Sequence, residues 1–450
     1  MNVLLILFGK LISKIIQILN LGSGSTWPGH IALLFNAKFI EQVIDKNKNL
    51  KIIIIAGTNG KTTSTALLKL LLEKSGKKVF TNNEGANLLN GVASTIIRKT
   101  DLYSKLNYDF VIFESDEFNL PLLLEKISPD KILILNLFRD QLDRYGEVNT
   151  IASKWLESLK KLTNKTEVFI NGDDPQLYHI GTKLTQKVCY FGIDKKLMKL
   201  KEIPNDVDSI YCPVCLSLLK YNQLSYAHLG NFYCSNCDFK RGEVIDFSKE
   251  KIFYPMSGLY NVYNTNAVLL LFKQLIKNGF VIPVKTGIQN NWLAEFSPAF
   301  GRQEEINYKN RKVFILLSKN PAGFNQSIQT VSEIIKKPSY AKASEGKANF
   351  LIILNNRIPD GLDVSWIWDV DFKPILDLSD NIYVSGDRVY DLNLRLRYED
   401  SKNEIQPFEN LTQAVKEIVK KTKESERLYI LPTYSAMLEV RKILLGRKLL

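Results

Sequence analysis

One stretch of this chain constrains its fold more than any other: an apolar run that passes through a glycine-rich turn into a helical pattern. The run KIIIIA at 51–56 is continuously hydrophobic, as expected of a strand inside a parallel sheet. The turn GTNGKTT follows at 57–63, and its glycines let backbone N–H groups point at an anion beside a helix N-terminus. The stretch therefore predicts a phosphate-binding loop in an α/β domain.

The side chains of the turn strengthen this prediction. An ordinary strand-to-helix turn is the alternative, because Ile55 stands where the common P-loop pattern has its first glycine. Lys61 is nevertheless placed to reach the β- and γ-phosphates, and the Thr62 hydroxyl is placed to ligate Mg²⁺. The whole turn is predicted to bind a nucleotide: Gly57, Thr58, Asn59, Gly60, Lys61, Thr62 and Thr63.

A second magnesium ligand is expected from the end of a neighbouring strand. Glu114 closes the apolar run FVIFE at 110–114, and an acidic stretch continues over 115–117. Carboxylate oxygens suit Mg²⁺, and open α/β sheets bind ligands outside the carboxyl ends of their strands. We therefore predict that Thr62 and Glu114 hold Mg²⁺, against the alternative of a solvated acidic loop.

The rest of the chain alternates short apolar runs with helical patterns, which predicts the α/β class with a parallel sheet covered on both faces. The alternation breaks at about 205–243 and resumes after Pro255. Polar residues at 337–348 indicate a surface loop. Strands are expected at 51–56, 110–114, 132–136, 167–171, 188–191, 313–317, 350–354, 382–384 and 428–431, and helices at 64–75 and 151–162.

These patterns divide the chain into three parts. We predict an N-terminal helical segment at 1–45 and an ATP-binding central domain at 46–300, with an insertion at about 205–243. A smaller α/β domain is expected at 301–450. At 450 residues the chain has room for two to four domains with sizeable cores.

The insertion contains four of the five cysteines, in two Cys-x-x-Cys pairs separated by residues 216–233. Two such pairs at this spacing are typical of a zinc ribbon, whereas two disulfides are the alternative. Four thiolates complete a tetrahedral site and leave no position for water, so the metal is expected to be structural. Tyr211, Leu218 and Phe239 are expected to form a small core around the ligands, which are Cys212, Cys215, Cys234 and Cys237.

The amino terminus is strongly apolar over residues 3–21. A signal peptide would carry its basic residues before the apolar run, but Lys10 and Lys14 lie within it. Two lysines four residues apart indicate an amphipathic helix, packed on the body or resting on a membrane surface. A membrane anchor is the other interpretation. The Gly/Ser/Pro-rich residues 22–29 are expected to be a linker.

The charge of the chain predicts an anionic partner. Lys and Arg number 60 against 47 Asp and Glu, which leaves a net charge of +13. Nucleic acid, nucleotide and an acidic membrane all fit this excess. A nucleic-acid-binding ATPase is disfavoured because the basic residues are spread along the chain rather than clustered.

Several motifs together resemble the Mur ligase family of ATP-dependent amide-forming enzymes. They occur in the order expected for the family, from the phosphate loop to about residue 325. The resemblance implies that four further residues approach the nucleotide. They come from the motifs GLYNVYNTNA at 258–267, GRQE at 301–304 and KNP at 319–321, and are Asn261, Asn264, Arg302 and Lys319.

Within the family, the chain is most similar to the MurT-type subunits of lipid II isoglutaminyl synthases. The similar segments are NLFRDQLDRYGE at 136–147, DGLDVSWIWDVD at 360–371 and LPTYSAM at 431–437. Most Mur ligases carry a histidine in the first segment, where this chain has Gln141. MurT-type subunits also carry a zinc ribbon in the central domain, so the resemblance extends to the insertion.

The MurT resemblance implies a reaction and a partner. The α-carboxylate of D-glutamate in the lipid II stem peptide would react with ATP to give an acyl-phosphate, which ammonia converts to D-isoglutamine. The chain has only three histidines and offers no credible Cys–His pair, so ammonia is expected from a separate GatD-type glutaminase. An aspartate of the C-terminal domain is thought to assist that partner, and Asp363 is favoured over Asp369.

Three further expectations follow from the resemblance. The protein would be cytoplasmic and beside the inner face of the plasma membrane, where its lipid-linked substrate lies. Lys154 is near the place of a carbamylated lysine in other Mur ligases, although a surface lysine is the preferred interpretation. An amino-acid-adding Mur or folylpolyglutamate-type ligase is the alternative enzyme, but it explains neither the four cysteines nor the tryptophan-rich segment 360–371.

Overall fold

The computed structural model of the chain describes most of its residues. They are 2–18, 26–82, 87–140, 148–200, 202–204, 207–279, 286–298, 301–336, 347–399, 404–424 and 426–446. Gln141, half of the predicted linker at 22–29 and most of the predicted loop at 337–348 lie outside the described residues. The linker prediction is wrong for residues 27–29, which belong to the helix Trp27–Phe35 and of which Pro28 and Gly29 are buried.

Three helices begin the chain: α1 (Asn2–Ile18), α2 (Trp27–Phe35) and α3 (Phe39–Asp45). Helix α1 lies on the body of the protein, because Ile6 is fully buried and Gly9 packs closely against Ile97. The ammonium group of Lys10 donates to the backbone oxygen of Thr100. No helix among the described residues combines the length and the apolar character required to cross a bilayer.

The first sheet has six parallel strands in the order β2-β3-β1-β4-β5-β6. Its strands are β1 (Lys51–Ala56), β2 (Val79–Thr81), β3 (Phe110–Ser115), β4 (Lys131–Ile134), β5 (Glu167–Asn171) and β6 (Lys187–Phe191). Helices of the same part of the chain cover both faces, as expected for a parallel sheet whose strands are apolar throughout. These helices are α4 (Lys61–Lys74), α5 (Leu89–Lys99), α6 (Asn119–Lys126), α7 (Val148–Lys160) and α8 (Pro175–Thr182), with a short 3₁₀ turn at Lys195–Leu197.

The four clustered cysteines belong to an antiparallel hairpin of β7 (Leu219–Tyr226) and β8 (Leu229–Cys234). We call residues 212–237 the cysteine hairpin. Helix α9 (Leu259–Lys277) follows and returns to the first sheet, where its apolar residues join the core beside α4. A shorter helix, α10 (Thr286–Ala294), completes this part of the chain.

The second sheet has the order β13-β12-β11-β14-β10-β9, with β9 antiparallel at one edge. Its strands are β9 (Arg302–Tyr308), β10 (Arg311–Leu316), β11 (Ala348–Ile353), β12 (Ser379–Ser385), β13 (Ile405–Phe408) and β14 (Arg427–Pro432). Its helices are α11 (Pro321–Ile335), α12 (Lys373–Leu376), α13 (Val389–Glu399), α14 (Leu411–Lys421) and α15 (Tyr434–Leu445), with a 3₁₀ turn at Ser365–Asp369. Two apolar clusters cover its two faces.

All nine predicted strands are present, and those predicted at 51–56 and 167–171 have the observed bounds. Five strands among the described residues escaped prediction: β7 and β8 of the antiparallel hairpin, and β2, β9 and β13 of the two six-stranded sheets. Each of the latter three lies at the edge of its six-stranded sheet, where one side of the strand faces no neighbour. Edge strands bury fewer apolar side chains, so their sequences carry a weaker signal. The domain limits predicted at 45 and 300 stay predictions.

Candidate active site

The phosphate loop, residues 57–63, lies between β1 and α4. It is held by the side chain of Asn136, which follows the neighbouring strand β4. The backbone N–H of Asn59 donates to Oδ1 of Asn136 over 2.8 Å, and Nδ2 of Asn136 donates to the oxygen of Asn59 over 3.0 Å. The N–H of Thr58 donates to the backbone oxygen of Asn136 over 3.1 Å. These bonds attach the loop to the residues that follow β4.

The second glycine of the loop packs against helix α9. Gly60 is the N-cap of α4 and has φ +88°, and a Cβ built on it would lie 2.2 Å from Oδ1 of Asn264. Nδ2 of Asn264 in turn donates to Asn261 over 3.3 Å, and Asn261 donates to the oxygen of Ser257 over 2.7 Å. The two predicted asparagines therefore support the loop from behind rather than lining the cavity in front of it.

The buried ammonium group of Lys61 lies among carboxylates and carbonyls. Its Nζ donates to the oxygens of Gly57 and Thr58, and lies 3.3 Å from Oδ1 of Asp116 and 3.9 Å from Oε2 of Glu117. Burial favours a raised pKa for Asp116, but the charges of Lys61 and Lys319 outweigh it, so the pKa is lowered. Burial raises the pKa of Glu117.

The predicted magnesium ligands are in contact with each other. The hydroxyl of Thr62 donates to Oε2 of Glu114 over 2.8 Å. Asn82 brackets the backbone of Glu114, accepting from its N–H over 2.8 Å and donating to its oxygen over 3.0 Å. A hydroxyl and a carboxylate at this spacing are the oxygen ligands that Mg²⁺ prefers.

The second sheet contributes the opposite wall of the site. At the start of α11, Lys319 forms an ion pair with Asp140, and the side-chain amide of Asn320 exchanges two hydrogen bonds of 3.2 and 3.3 Å with that of Asn59. Burial alone would lower the pKa of Lys319, but Asp140 and Glu117 raise it well above the ordinary value. The two halves of the chain thus meet across the phosphate loop.

These groups surround a cavity of about 410 Å³. Its walls include most of the phosphate loop from Thr58 to Thr63, together with Arg302 and Lys319. Gly57, Glu114, Asn261 and Asn264 are not part of the lining. Sequence reasoning missed four residues of the site, whose positions depend on tertiary contacts: Asn136, Asp140, Tyr226 and Asn320.

The four cysteines of the cysteine hairpin form a compact cluster of free thiols. All four sulfur atoms lie within 4.8 Å of one another, with Cys212 and Cys237 3.7 Å apart and Cys215 and Cys234 3.4 Å apart. Sulfur atoms around a tetrahedral zinc ion are about 3.8 Å apart, given Zn–S bonds of about 2.3 Å. The cluster can therefore hold one metal ion.

The small core around the cysteines differs from the predicted one. Tyr211 and Leu218 are exposed, whereas Leu219 is buried beside Phe239 and Tyr221. Successive side chains of a strand point to opposite faces, so burying Leu219 at the start of β7 turns Leu218 outward.

Comparisons with known proteins place the chain in a family. Residues 55–272 match the family model of the Mur ligase middle domain, and residues 317–437 match that of the MurT ligase C-terminal domain. The "Lipid II isoglutaminyl synthase (glutamine-hydrolyzing) subunit MurT" of Streptococcus pneumoniae is 33% identical, over 95% of this chain and 94% of the relative. This chain belongs to the MurT branch of the Mur ligase family. The subunit of the same name from Staphylococcus aureus is 28% identical over 83% of both chains.

Solved structures agree with the Mur ligase fold. MurF ligase from Thermotoga maritima, solved in complex with ADP, matches with a TM-score of 0.59 at 16% identity, over 92% of this chain and 82% of that one. The fold is thus the Mur-ligase-like α/β fold with a parallel sheet and a C-terminal α/β domain.

The two aspartates singled out by the MurT resemblance have different surroundings. Asp369 accepts from a guanidinium nitrogen of Arg139 over 2.9 Å, and Arg139 also pairs with Asp208. Asp363 is exposed and accepts from the N–H and hydroxyl of Ser365 over 2.8 and 2.9 Å. Asp363 is the more exposed of the two, while Asp369, whose side chain is 33% exposed, joins the two halves of this MurT-type chain through Arg139.

The lysine considered for carbamylation in this Mur ligase lies on the surface. Lys154 is exposed on α7, and its Nζ lies 5.6 Å from the centre of the Phe118 ring. This position matches the preferred interpretation of an ordinary surface lysine.

His228 is fully buried at the turn of the cysteine hairpin, 3.5 Å from a carboxylate oxygen of Asp174.

Proposed function

We propose that the chain is the synthetase subunit of a glutamine-dependent enzyme that amidates lipid II. In this proposal it uses ATP to convert the α-carboxylate of D-glutamate in the stem peptide into the amide of D-isoglutamine. The observation that carries the proposal is the placement of Lys61 and Lys319, from opposite halves of the chain, around one cavity bounded by the phosphate loop. The names of the MurT relatives support the choice of substrate.

The residues around the cavity suit phosphoryl transfer followed by amide formation. A carboxylate oxygen of the substrate attacks the γ-phosphorus, the bond to the bridging oxygen breaks, and ADP leaves. Lys61, Lys319 and the N–H groups of the phosphate loop stabilise the charge that moves during this step. Ammonia then attacks the carbonyl carbon of the acyl-phosphate, phosphate leaves, and the nitrogen loses a proton.

Mg²⁺ is part of the proposal because the cavity is too acidic for a nucleotide alone. Asp116, Glu117 and Asp140 lie in its wall, so a triphosphate would meet three carboxylates as well as the two lysines. Thr62 and Glu114 are the residues proposed to hold the cation. When bound, the cation neutralises phosphate charge as the β–γ bond breaks.

Zinc is the metal proposed for the four cysteines. A closed set of four thiolates matches structural zinc, and with no open position the ion would not take part in the reaction. The role of such an ion would be to fold and hold the cysteine hairpin, because Leu219 and Phe239 make only a small core there.

Ammonia is proposed to come from a separate GatD-type glutaminase. Among the described residues, four cysteines cluster together and the fifth, Cys189, lies half-buried on β6, where burial raises the pKa of its thiol. The raised pKa disfavours a thiolate at Cys189, and thiolates that hold a metal ion do not serve as the nucleophile of a glutaminase. Asp363 is the residue proposed to assist the partner's Cys–His pair, because its carboxylate is accessible.

The protein is proposed to act at a membrane surface. Helix α1 and helix α2 expose an unusual number of large apolar side chains, and we call these residues the apolar face: Val3, Leu4, Leu7, Phe8, Leu11, Ile15, Ile18, Trp27, Leu34 and Phe35. No acidic residue occurs before Glu41, whereas Lys10, Lys14 and Lys38 do. An apolar surface flanked only by positive charge suits the anionic face of a bilayer that holds a lipid-linked substrate.

The deciding experiment reconstitutes the reaction. The purified chain is mixed with a GatD-type glutaminase, glutamine, MgATP and lipid II, and the product is analysed by mass spectrometry. We expect ADP and amidated lipid II to form in equal amounts, and no amide to form if ATP is omitted. Ligation of a free amino acid without the glutaminase would instead establish the amino-acid-adding alternative.

A further inference from the structure

The cysteine hairpin extends from the metal-binding cluster to the candidate nucleotide cavity. Cys234 ends β8 at one end of the hairpin, and the turn between β7 and β8 lies at the other. Although surface hairpins usually expose their turns, Tyr226, Ala227, His228 and Leu229 are all at least 96% buried. The turn is inserted into the apolar core of the central part of the chain.

One residue of this turn belongs to the cavity wall. Tyr226 lines the cavity, and its ring centre lies 5.9 Å from that of Phe138 and 5.7 Å from that of Tyr263. Phe138 is bonded to the phosphate loop, because its N–H donates to the Thr58 hydroxyl over 2.9 Å. Tyr226 therefore packs against a direct neighbour of the loop.

The second ring neighbour of Tyr226, Tyr263, also connects it to the phosphate loop. Tyr263 lies on α9 directly before Asn264, which is the residue that contacts Gly60. Tyr226 is thus next to two neighbours of the loop, Phe138 directly and Asn264 through Tyr263.

A buried carboxylate fastens the hairpin to the same helix. Asp173 accepts from the Tyr263 hydroxyl over 2.7 Å and from Nε of Arg241, just beyond the hairpin, over 2.6 Å. The N–H of Gly230 on β8 donates to the backbone oxygen of Asp173 over 2.9 Å. These bonds fix the turn end of the hairpin against α9, and the β7–β8 ladder connects that end to the metal-binding cluster.

We propose that Tyr226 contacts the bound nucleotide, and that metal binding by the cysteines and nucleotide binding by the cavity stabilise each other. The inference rests on the proposed nucleotide site and adds to it a wall that the metal-binding hairpin supplies. Because coupling between two sites is reciprocal, the nucleotide must retain the metal as much as the metal favours the nucleotide.

Nucleotide affinity tests the contact. Binding of MgATP is measured by titration calorimetry for the wild type, Tyr226→Ala and Tyr226→Phe, with Tyr233→Ala as the control. Tyr233 is a half-exposed tyrosine of β8 that does not line the cavity. We expect about a tenfold weaker affinity for Tyr226→Ala, as for the loss of an aromatic contact to a nucleotide. Tyr226→Phe and Tyr233→Ala should bind like the wild type.

The rate of metal loss tests the coupling. Zinc release from the zinc-loaded protein to a chromogenic chelator is followed with and without saturating MgADP. We expect the nucleotide to slow the release several-fold in the wild type and in Tyr233→Ala, but not in Tyr226→Ala at a nucleotide concentration that saturates it. Melting temperatures without nucleotide separate this effect from a general loss of stability.

The outcomes distinguish the two proposals. A wild type that binds no nucleotide would overturn the proposed function together with the inference. Normal binding by the wild type with equal affinity for Tyr226→Ala, or zinc release that saturating nucleotide leaves unchanged, would overturn the inference alone.

Discussion

Gly60 and Asn264 are in such close contact that the loop has no room for a side chain between them: a Cβ on Gly60 would lie 2.2 Å from Oδ1 of Asn264. Gly60→Ala should therefore displace Asn264 and weaken MgATP binding at least about tenfold. It should also lower the stability of the fold by about 1–2 kcal/mol, the conformational cost of an alanine in the left-handed region. Gly76→Ala is the matched control, since Gly76 has φ +81° and open space around it. Equal nucleotide affinity of the two variants would contradict this account.

Lys61 is one of the two lysines that contact the acidic wall of the cavity. Lys61→Met should lower ATP-dependent amidation about 10²–10³-fold, the usual cost of removing one stabilising donor from a transition state. The measurement is ADP release by the reconstituted complex, and Lys69→Met is the control, because Lys69 lies on the same helix but is paired with Glu73 in solvent. A Lys61→Met enzyme of normal rate would exclude this lysine from phosphoryl transfer.

The two C-terminal aspartates should separate when the source of nitrogen is changed. Asp363→Asn should abolish most glutamine-dependent amidation but leave the reaction driven by ammonium chloride unchanged. Asp369→Asn removes the carboxylate that pairs with Arg139, so it should impair both reactions. The opposite pattern would assign the glutaminase role to Asp369.

An ion pair at the far end of the first sheet gives a prediction for pH and stability. Lys131 is buried and donates to Glu167 over 2.8 Å, and although burial opposes it, this contact lowers the pKa of the carboxyl. Glu167→Gln should lower the free energy of unfolding by about 1–2 kcal/mol at pH 7, less than for a fully buried pair because Glu167 touches solvent.

The sign of the pH dependence follows from that lowered pKa. The stabilisation should be complete above the ordinary glutamate pKa of 4.5 and should disappear as the pH falls through the lower pKa of the folded state. Urea unfolding at several pH values checks this, with the exposed Glu157→Gln as the control. A difference between Glu167→Gln and wild type that persists at acidic pH would contradict it.

The apolar face should bind lipid. In flotation assays, the wild type should associate with vesicles that contain phosphatidylglycerol more strongly than with vesicles of phosphatidylcholine alone. The double variant Phe8→Ser, Leu11→Ser should lose at least about tenfold in this affinity, because two large side chains no longer enter the bilayer. Leu102→Ser, an equally exposed leucine elsewhere, should bind like the wild type. A double variant that floats with the vesicles as well as the wild type would refute the membrane role.

The sequence predicts this fold well where burial dominates. The apolar runs at 51–56 and 167–171 are enclosed on both faces of the sheet, so their composition alone marks them as strands. Strand β13 at 405–408 carries Pro407 and lies at an edge, where neither composition nor alternation identifies it.

The candidate site is predictable within one element and hardly at all between elements. The phosphate loop is a local feature, and Lys61 and Thr62 follow from it directly. Predicting that Lys319 pairs with Asp140 would require knowing how the second sheet is placed against the first. Predicting that Tyr226 is buried would require knowing that the turn of the cysteine hairpin is inserted into the core. Neither placement leaves a periodic pattern in the sequence.

The amide pair between Asn59 and Asn320 has a consequence for the shape of the molecule. It joins a residue of the phosphate loop to the cap of α11, so a ligand that displaces either side chain acts directly on the junction between the two halves of the chain. Occupancy of the cavity should therefore be visible at a distance, as a change in the radius of gyration in small-angle scattering. In Asn320→Ala, ligand binding should no longer change the radius of gyration.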